Sequence, residues 1–202
     1  MTLLRDKILS KVRRMGSGAV FTPKDLLNVA SRGMVDMTLK RLVEEGTVRR
    51  LGRGLYEVPK ISTLLKGPVS ADVDAVARAL ARRFRWRIVP SGAQAANILG
   101  LSTQVPAKAI YLSDGPSKAV RLDARELVFK HVRPKNLGAG DELAAILIQA
   151  LRYLGKNAVG PDTIRTLRRR IPRSARHKLL RDMRYASDWI YATAKKVAAE
   201  ES

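Results

Sequence analysis

The chain has 202 residues, enough for one large or two small domains, and 46% of them are hydrophobic, which excludes global disorder. Its 39 Lys and Arg residues against 18 Asp and Glu residues give a formal charge of +21, which indicates a polyanionic partner such as nucleic acid. Cysteine is absent, which excludes disulfides, and no apolar run is long enough for a membrane span or a signal peptide, so we expect a cytoplasmic protein without a membrane partner.

The first predicted element is an amphipathic helix over residues 3–15. Leu4, Ile8 and Val12 recur at four-residue spacing, which places them on one side of a helix. Basic residues occupy the other side, where they either touch phosphates or only solubilise the surface.

A second predicted helix begins after Thr22, a residue that commonly caps helices. Pro23 would take the first helical position, and Asp25, three residues after the cap, gives an acidic variant of the capping box. The Ser-Arg-Gly sequence of residues 31–33 ends this helix in the short, glycine-containing turn of a helix-turn-helix.

Residues 34–45 predict a third helix, because their apolar residues recur at i, i+4 and i+7. These apolar residues are Val35, Leu39 and Leu42. Gly46 ends the helix. Residues 47–58 then alternate as two short strands around a Gly-Arg-Gly tip, which predicts a hairpin with a cation at its end.

This order of elements is typical of a winged helix-turn-helix that inserts its last helix into the DNA major groove. Exposed residues of that helix would face bases or flanking phosphates, and the hairpin arginines would hold the backbone. The predicted contacts are Arg32, Met37, Lys40, Arg41, Arg49, Arg50 and Arg53. A protein-docking winged helix with a solvated face is the alternative, but the grouping of cations on helix and hairpin favours DNA.

The first 60 residues resemble the N-terminal domain of AbiEi-type antitoxins, the autorepressor halves of AbiE type IV toxin-antitoxin systems. The resemblance is carried by Phe21, the Ala-Ser-Arg-Gly of 30–33, the Leu-Lys-Arg-Leu of 39–42, the Glu-Gly of 45–46 and the Arg-Leu-Gly-Arg-Gly-Leu-Tyr-Glu-Val-Pro of 50–59. A looser similarity to the second domain of that family covers 91–132. The resemblance implies a repressor of its own operon, encoded beside a nucleotidyltransferase-like toxin, and it adds Ser31 to the DNA contacts.

The second half predicts a small α+β domain over residues 71–202, after a linker at 61–70 that contains a Gly-Pro pair. A helix over 72–83 precedes a small antiparallel sheet within 86–132, with runs at 85–90, 109–112, 119–122 and 126–132. The turn-forming residues 113–118 favour an ordinary hairpin loop over an anion-binding turn.

A helical tail follows at 141–199. Its first helix runs from Asp141 to Leu154 and is stopped by Gly155, a second begins at Pro161, and a last long helix begins near Ser174. Residues 165–184 contain nine Lys and Arg residues against one acid. The predicted basic surface comprises Arg168, Arg169, Arg170, Arg173, Arg176, Lys178, Arg181 and Arg184.

Three interpretations of this basic tail stay open. It extends the contact with nucleic-acid phosphates, or it meets an acidic protein or a second copy of the chain through Tyr185 and Trp189, or it is a solvated basic bundle.

Catalytic signatures are weak in this sequence. His131 and His177 have no second histidine or cysteine nearby, and we assign them structural or phosphate-adjacent roles. The spacing of Asp72 and Asp74 is explained by helix capping, and that of Asp123 and Glu126 does not match a nuclease motif. We therefore predict a binding protein with no catalytic residues, no cofactor and no metal.

The combined prediction is an α+β protein with an N-terminal winged helix-turn-helix, a small mixed α+β domain and a helical C-terminal tail. Its predicted function is sequence-specific repression by an antitoxin that binds double-stranded operator DNA as a monomer or as a dimer on an inverted repeat, with a nucleotidyltransferase-like toxin as the protein partner. The alternatives are a nuclease guided by the winged domain and a non-specific DNA-coating protein.

Overall fold

The computed structural model describes residues 2–62, 67–104, 106–122, 125–137 and 141–199, and it has the mixed α+β architecture that the sequence predicts. The chain divides into two compact units, Met1–Trp86 and Arg87–Ser202. The helices are α1 Thr2–Met15, α2 Arg32–Glu44, α3 Val73–Phe84, α4 Ala93–Ile98, α5 Glu142–Leu154, α6 Pro161–Arg170, α7 Arg173–Met183 and α8 Asp188–Ala198. The strands are β1 Val20–Phe21, β2 Arg49–Gly52, β3 Leu55–Glu57, β4 Ile61–Ser62, β5 Gly67–Pro68, β6 Ile88–Ser91, β7 Lys108–Ser113, β8 Lys118–Leu122 and β9 Arg125–His131. Each described helix is too short or too polar to cross a bilayer.

The core of the first unit lies between α1, α2 and an antiparallel sheet with strand order β1–β3–β2. The apolar positions predicted for α1 and α2 supply most of it. Its buried members are Ile8, Val12, Phe21, Leu26, Val35, Leu39, Leu42 and Val48. Gly46 follows α2 with φ +71°, a conformation that favours glycine after a helix end.

The helix predicted between Thr22 and residue 31 is wrong beyond its first turn, and Arg32 and Gly33, which were predicted as part of a turn, are the first residues of α2. A 3-10 helix covers only Pro23–Leu26, although the capping interaction forms: the Thr22 amide and hydroxyl donate to the Asp25 carboxylate at 2.8 and 3.0 Å. Leu26 is fully buried whereas Leu27 is 44% exposed. Val29 and Ala30 still pack against the core of the first unit, but the chain reaches them through turns and not through a continued helix.

Helix α3 packs with the first unit, so the boundary predicted at 61–70 differs from the division after Trp86. Arg82 Nη2 donates to the Val20 carbonyl at 3.1 Å, and Lys24 Nζ donates to the Arg83 carbonyl at 2.9 Å. These side chains link α3 to β1 and to the 3-10 turn. Residues 63–66 of the predicted linker lie outside the described residues.

The second unit contains a four-stranded sheet in the order β6–β7–β9–β8. The sheet is mixed and not antiparallel as predicted, because β7 and β9 pair in parallel over six residues, from Lys108 opposite Glu126 to Ser113 opposite His131. Strand β9 buries Leu127 and Phe129 and takes an interior position, whereas the more exposed β8 lies at the edge. The segment between β7 and β8 is therefore a crossover and not the predicted hairpin loop.

Helices α4 to α8 build the main core of the second unit. It contains Leu99, Leu147, Leu151, Leu167, Ile171, Leu179, Met183, Ile190 and Val197. Helix α5 ends at Leu154, as predicted, and Gly155 follows it with φ +78°. The predicted last helix is two helices, because Ser174 lies inside α7 and α8 begins after Ser187, an extended residue in an N-cap position that is followed by Asp188 in the first turn.

Candidate nucleic-acid interface

The exposed side of α2 carries three cations, Arg32, Lys40 and Arg41, beside a half-exposed Met37. This side points outward because Val35, Thr38, Leu39 and Leu42 are buried on the opposite side of the helix. We call the exposed residues Arg32, Asp36, Met37, Lys40, Arg41 and Glu44 the α2 face.

Two of these cations are paired within the helix. Arg32 Nε lies 2.7 Å from Asp36 Oδ2, and Lys40 Nζ lies 4.0 Å from Glu44 Oε1, with all four side chains exposed. Exposed ion pairs contribute little, so a phosphate or base replaces either acid at low cost. The Arg41 side chain forms neither a hydrogen bond nor an ion pair with the described residues, which leaves its guanidinium available.

The β2–β3 hairpin places Arg53 at its tip and the exposed Arg50 on β2. Gly54 follows Arg53 with φ +66°, a conformation that costs a side-chain residue free energy. Arg83 Nη1 from α3 donates to the Arg53 carbonyl at 2.8 Å. The main chain of the tip is thus held from behind, and the Arg53 side chain is exposed.

The structure assigns Arg49 a different role from its predicted DNA contact. Its guanidinium donates twice to the Glu57 carboxylate, at 2.6 and 3.0 Å, and once to the Val69 carbonyl at 2.9 Å. The Glu57 side chain is 2% exposed, so Arg49 compensates a buried charge. Arg49 and Arg50 are neighbours on one strand and therefore point to opposite faces of the sheet. The sequence did not show which of the two faces inward.

A second concentration of cations lines a cleft of about 960 Å³ between α6, α7 and the end of α8. Its lining residues are Arg165, Arg168, Arg169, Pro172, Arg173, Arg176, His177, Leu180 and Ala198, and we call this site the basic cleft. Four members of the predicted basic surface, Arg168, Arg169, Arg173 and Arg176, therefore lie together. Arg165 and His177 were not in that predicted surface, although each lies three or four residues from one of its arginines.

The other four predicted residues do not line the cleft. Lys178 Nζ pairs with Asp141 at 2.7 Å, and Arg181 lies 3.9 Å from Asp182. Arg184 stacks on the 82% exposed Tyr185 ring, with its guanidinium carbon 4.7 Å from the ring centroid. Arg170 lies beside Gly100, where a Cβ would meet the Arg170 Nε at 3.0 Å.

The carboxylates considered for catalysis have structural contacts. Asp72 caps α3 by accepting from the Asp74 amide at 2.9 Å, and Glu126 pairs with Lys108 at 3.0 Å across the parallel strands. Asp123 lies outside the described residues. Among the residues that the structure describes, no group of three or more His, Asp or Glu is placed to hold a metal ion.

The two histidines lie in different settings. The His131 ring nitrogen Nδ1 lies 3.0 Å from the Gly115 carbonyl, and its main-chain amide donates to Ser117 at 3.0 Å. His131 thus holds the crossover between β7 and β8. His177 lines the basic cleft.

The chain belongs to a family of unknown function, DUF6088, whose model matches residues 7–179. Among solved structures it is similar to the crystal structure of the RV2827C protein from Mycobacterium tuberculosis, with 16% identity and a TM-score of 0.47, over 97% of this chain and 76% of that one. No curated protein matches it in sequence.

Proposed function

We propose that this DUF6088 protein is a cytoplasmic, sequence-specific DNA-binding repressor whose first unit acts as a winged helix-turn-helix. The observation that supports the proposal is the α2 face, where Met37, Lys40 and Arg41 are exposed on one helix side of a unit that also exposes Arg50 and Arg53 on its hairpin. A recognition helix and a basic hairpin are the two contacts that such a domain makes.

In this proposal the side chains divide by chemistry. Lys40 and Arg41 donate hydrogen bonds to guanine edges in the major groove, and Met37 supplies an apolar contact for a thymine methyl. Arg50 and Arg53 contact phosphates, which fixes the orientation on the duplex but reads no sequence. Ser31 and Arg32, at the start of α2, approach phosphates with the positive end of the helix dipole.

One α2 helix and one hairpin read only a short site. High specificity therefore requires a second copy on an inverted repeat or a further contact from the second unit. The formal charge of +21 also supports the second candidate function, non-specific coating of DNA.

The antitoxin part of the proposal depends on the resemblance to AbiEi-type proteins alone. In that role the protein represses its own operon and counteracts a nucleotidyltransferase-like toxin. Co-expression with the product of the neighbouring reading frame tests it: the protein should relieve a growth arrest that this product causes. If growth stays arrested while the protein still binds its operator, the antitoxin role is refuted and the repressor role stands.

The DNA proposal is tested by fluorescence anisotropy with the protein's own upstream DNA and unlabelled random duplex at two salt concentrations. The upstream DNA should bind about a thousandfold more tightly than random duplex. Arg41→Ala should lower this specific affinity by about 10-fold or more, and Lys130→Ala, an exposed lysine on β9, should leave it unchanged. Equal competition by every duplex would instead support non-specific coating.

A further inference from the structure

The basic cleft concentrates positive charge with little compensation. Five arginines and His177 line it, and no carboxylate lines it within the part of the chain that the structure describes, although Arg165 pairs with Asp162. The first turn of α7, where acids are favoured, contains none. Like charges in one concave site repel each other and focus a positive potential. Such a cleft attracts anions of several charges.

Two of the cleft arginines are held in place by main-chain carbonyls at helix ends. Arg168 Nη2 donates to the Lys196 carbonyl of α8 at 2.8 Å, and Arg176 Nη2 donates to the Arg168 carbonyl of α6 at 2.7 Å. These hydrogen bonds fix the two guanidiniums before any ligand binds, so a ligand does not have to order them.

Two other cleft arginines are available to a ligand. The side chains of Arg169, at the end of α6, and Arg173, at the start of α7, are exposed and form neither hydrogen bonds nor ion pairs with the described residues. Guanidinium groups bind phosphate oxygens through paired N–H donors. Arg169 and Arg173 can therefore close around an anion whose charge the two fixed arginines attract.

The size and lining of the cleft point to a class of ligand. Its volume of about 960 Å³ is at the upper end of the range for small-molecule sites. Its described lining residues include no Phe, Tyr or Trp on which nucleic-acid bases could stack. We infer that the basic cleft binds an oligophosphate, a chain of adjacent phosphate groups, supplied as a free oligophosphate or as a nucleoside polyphosphate. This inference goes beyond the proposed function, since it requires no DNA.

The test is isothermal titration calorimetry on the full chain without divalent metal. Tripolyphosphate and ATP should bind, and orthophosphate should bind at least about 10-fold more weakly because it offers fewer charges. The variant Arg169→Gln with Arg173→Gln should lose about 10-fold or more in tripolyphosphate affinity. The control Lys130→Gln with Arg133→Gln removes the same charge from exposed positions of the same unit and should lose less than about 2-fold.

Tighter binding of ATP than of tripolyphosphate would assign the nucleoside form, and equal affinity would assign the phosphate chain alone. Equal losses in the two variants would overturn the inference, because the binding would then reflect net charge. A cleft variant that loses affinity for random duplex DNA but not for oligophosphate would also overturn it, in favour of a DNA-backbone site. Neither result changes the operator binding expected of Arg41.

Discussion

Arg49 on β2 and Glu57 on β3 form a double hydrogen bond across the hairpin, and the carboxylate side chain is almost completely buried. The adjacent Arg50 is exposed. Two neighbouring arginines of one strand therefore differ in their surroundings: Arg49 neutralises a buried carboxylate, and Arg50 is exposed, as the proposed DNA contact requires.

We expect Arg49→Met to destabilise the protein and Arg50→Met to leave stability nearly unchanged. Removing Arg49 leaves the Glu57 charge buried without a partner, which costs about 3–5 kcal/mol in a fully buried pair and about 2–3 kcal/mol here, because Arg49 is 30% exposed. Urea unfolding measures both variants. Equal midpoints would show that the pair contributes nothing to stability.

The hairpin tip should contribute to DNA affinity without contributing to sequence preference. Arg53→Gln removes one phosphate contact, so the slope of log affinity against log salt should fall by about one. Operator and random DNA should lose affinity by the same factor. Lys130→Gln is the charge-matched control, and an unchanged slope for Arg53→Gln would place the tip away from DNA.

The stability of the second unit should depend on pH through Asp141. The hydrogen bond from Lys178 Nζ is the largest cause that lowers the pKa of Asp141 below its ordinary value. Because the pKa is lower in the folded chain, this stabilisation is present above the ordinary carboxyl pKa and is lost as pH falls through the folded value.

Asp141→Asn should therefore have a lower urea midpoint than the natural sequence at neutral pH and the same midpoint in strong acid. The effect is small because the Asp141 side chain is 42% exposed. Lys178→Met should reproduce it. A difference that persists unchanged into strong acid would rule out this carboxylate as its source.

The position of α3 predicts where the chain can be cut. A fragment of residues 1–86 should unfold cooperatively on heating, whereas a fragment of residues 1–70 should have a melting temperature lower by many degrees. The shorter fragment lacks Val76 and Leu80, which are buried, and Arg83, which holds the hairpin tip. Circular dichroism measures the melting temperature of both fragments. Equal melting curves would instead support a domain boundary at 61–70.

The like charges of the basic cleft should lower the stability of the free protein. We expect Arg169→Gln with Arg173→Gln to raise the melting temperature by about 2–4 °C at low salt and by less at high salt, where repulsion is screened. Differential scanning calorimetry at two ionic strengths measures this. The Lys130→Gln and Arg133→Gln control should show no such salt dependence.

The sequence predicted those features of the first unit that depend on residues close together in the chain. The spacing of Ile8 and Val12, the glycine after α2 and the hairpin around Arg53 are all visible in the sequence. The capping box at Thr22 was also correct, but it specifies how a helix begins and not how far it continues. The end of the helix was not visible in the sequence, because residues 27–30 form turns although Val29 and Ala30 pack against the core.

Features that depend on contacts between residues far apart in the chain could not be predicted from the sequence. The short runs that became β7, β8 and β9 are similar in pattern, so their order in the sheet depends on which strand buries more side chains. The sequence likewise showed a dense group of basic residues, but it did not show which of them pair with acids and which have no ion pair. Lys178 has Asp141 as a partner 37 residues away, and Arg169 has none among the described residues.

The parallel pairing of β7 with β9 has a consequence for synthesis on the ribosome. Strand β9 joins β7 to β8, yet it is made after both of them. Until residue 131 has left the exit tunnel, β7 has one unpaired edge and β8 has two, and such edges attract other chains. The nascent protein is therefore most prone to aggregation in this interval, and a pause in translation just before β9 would lengthen it.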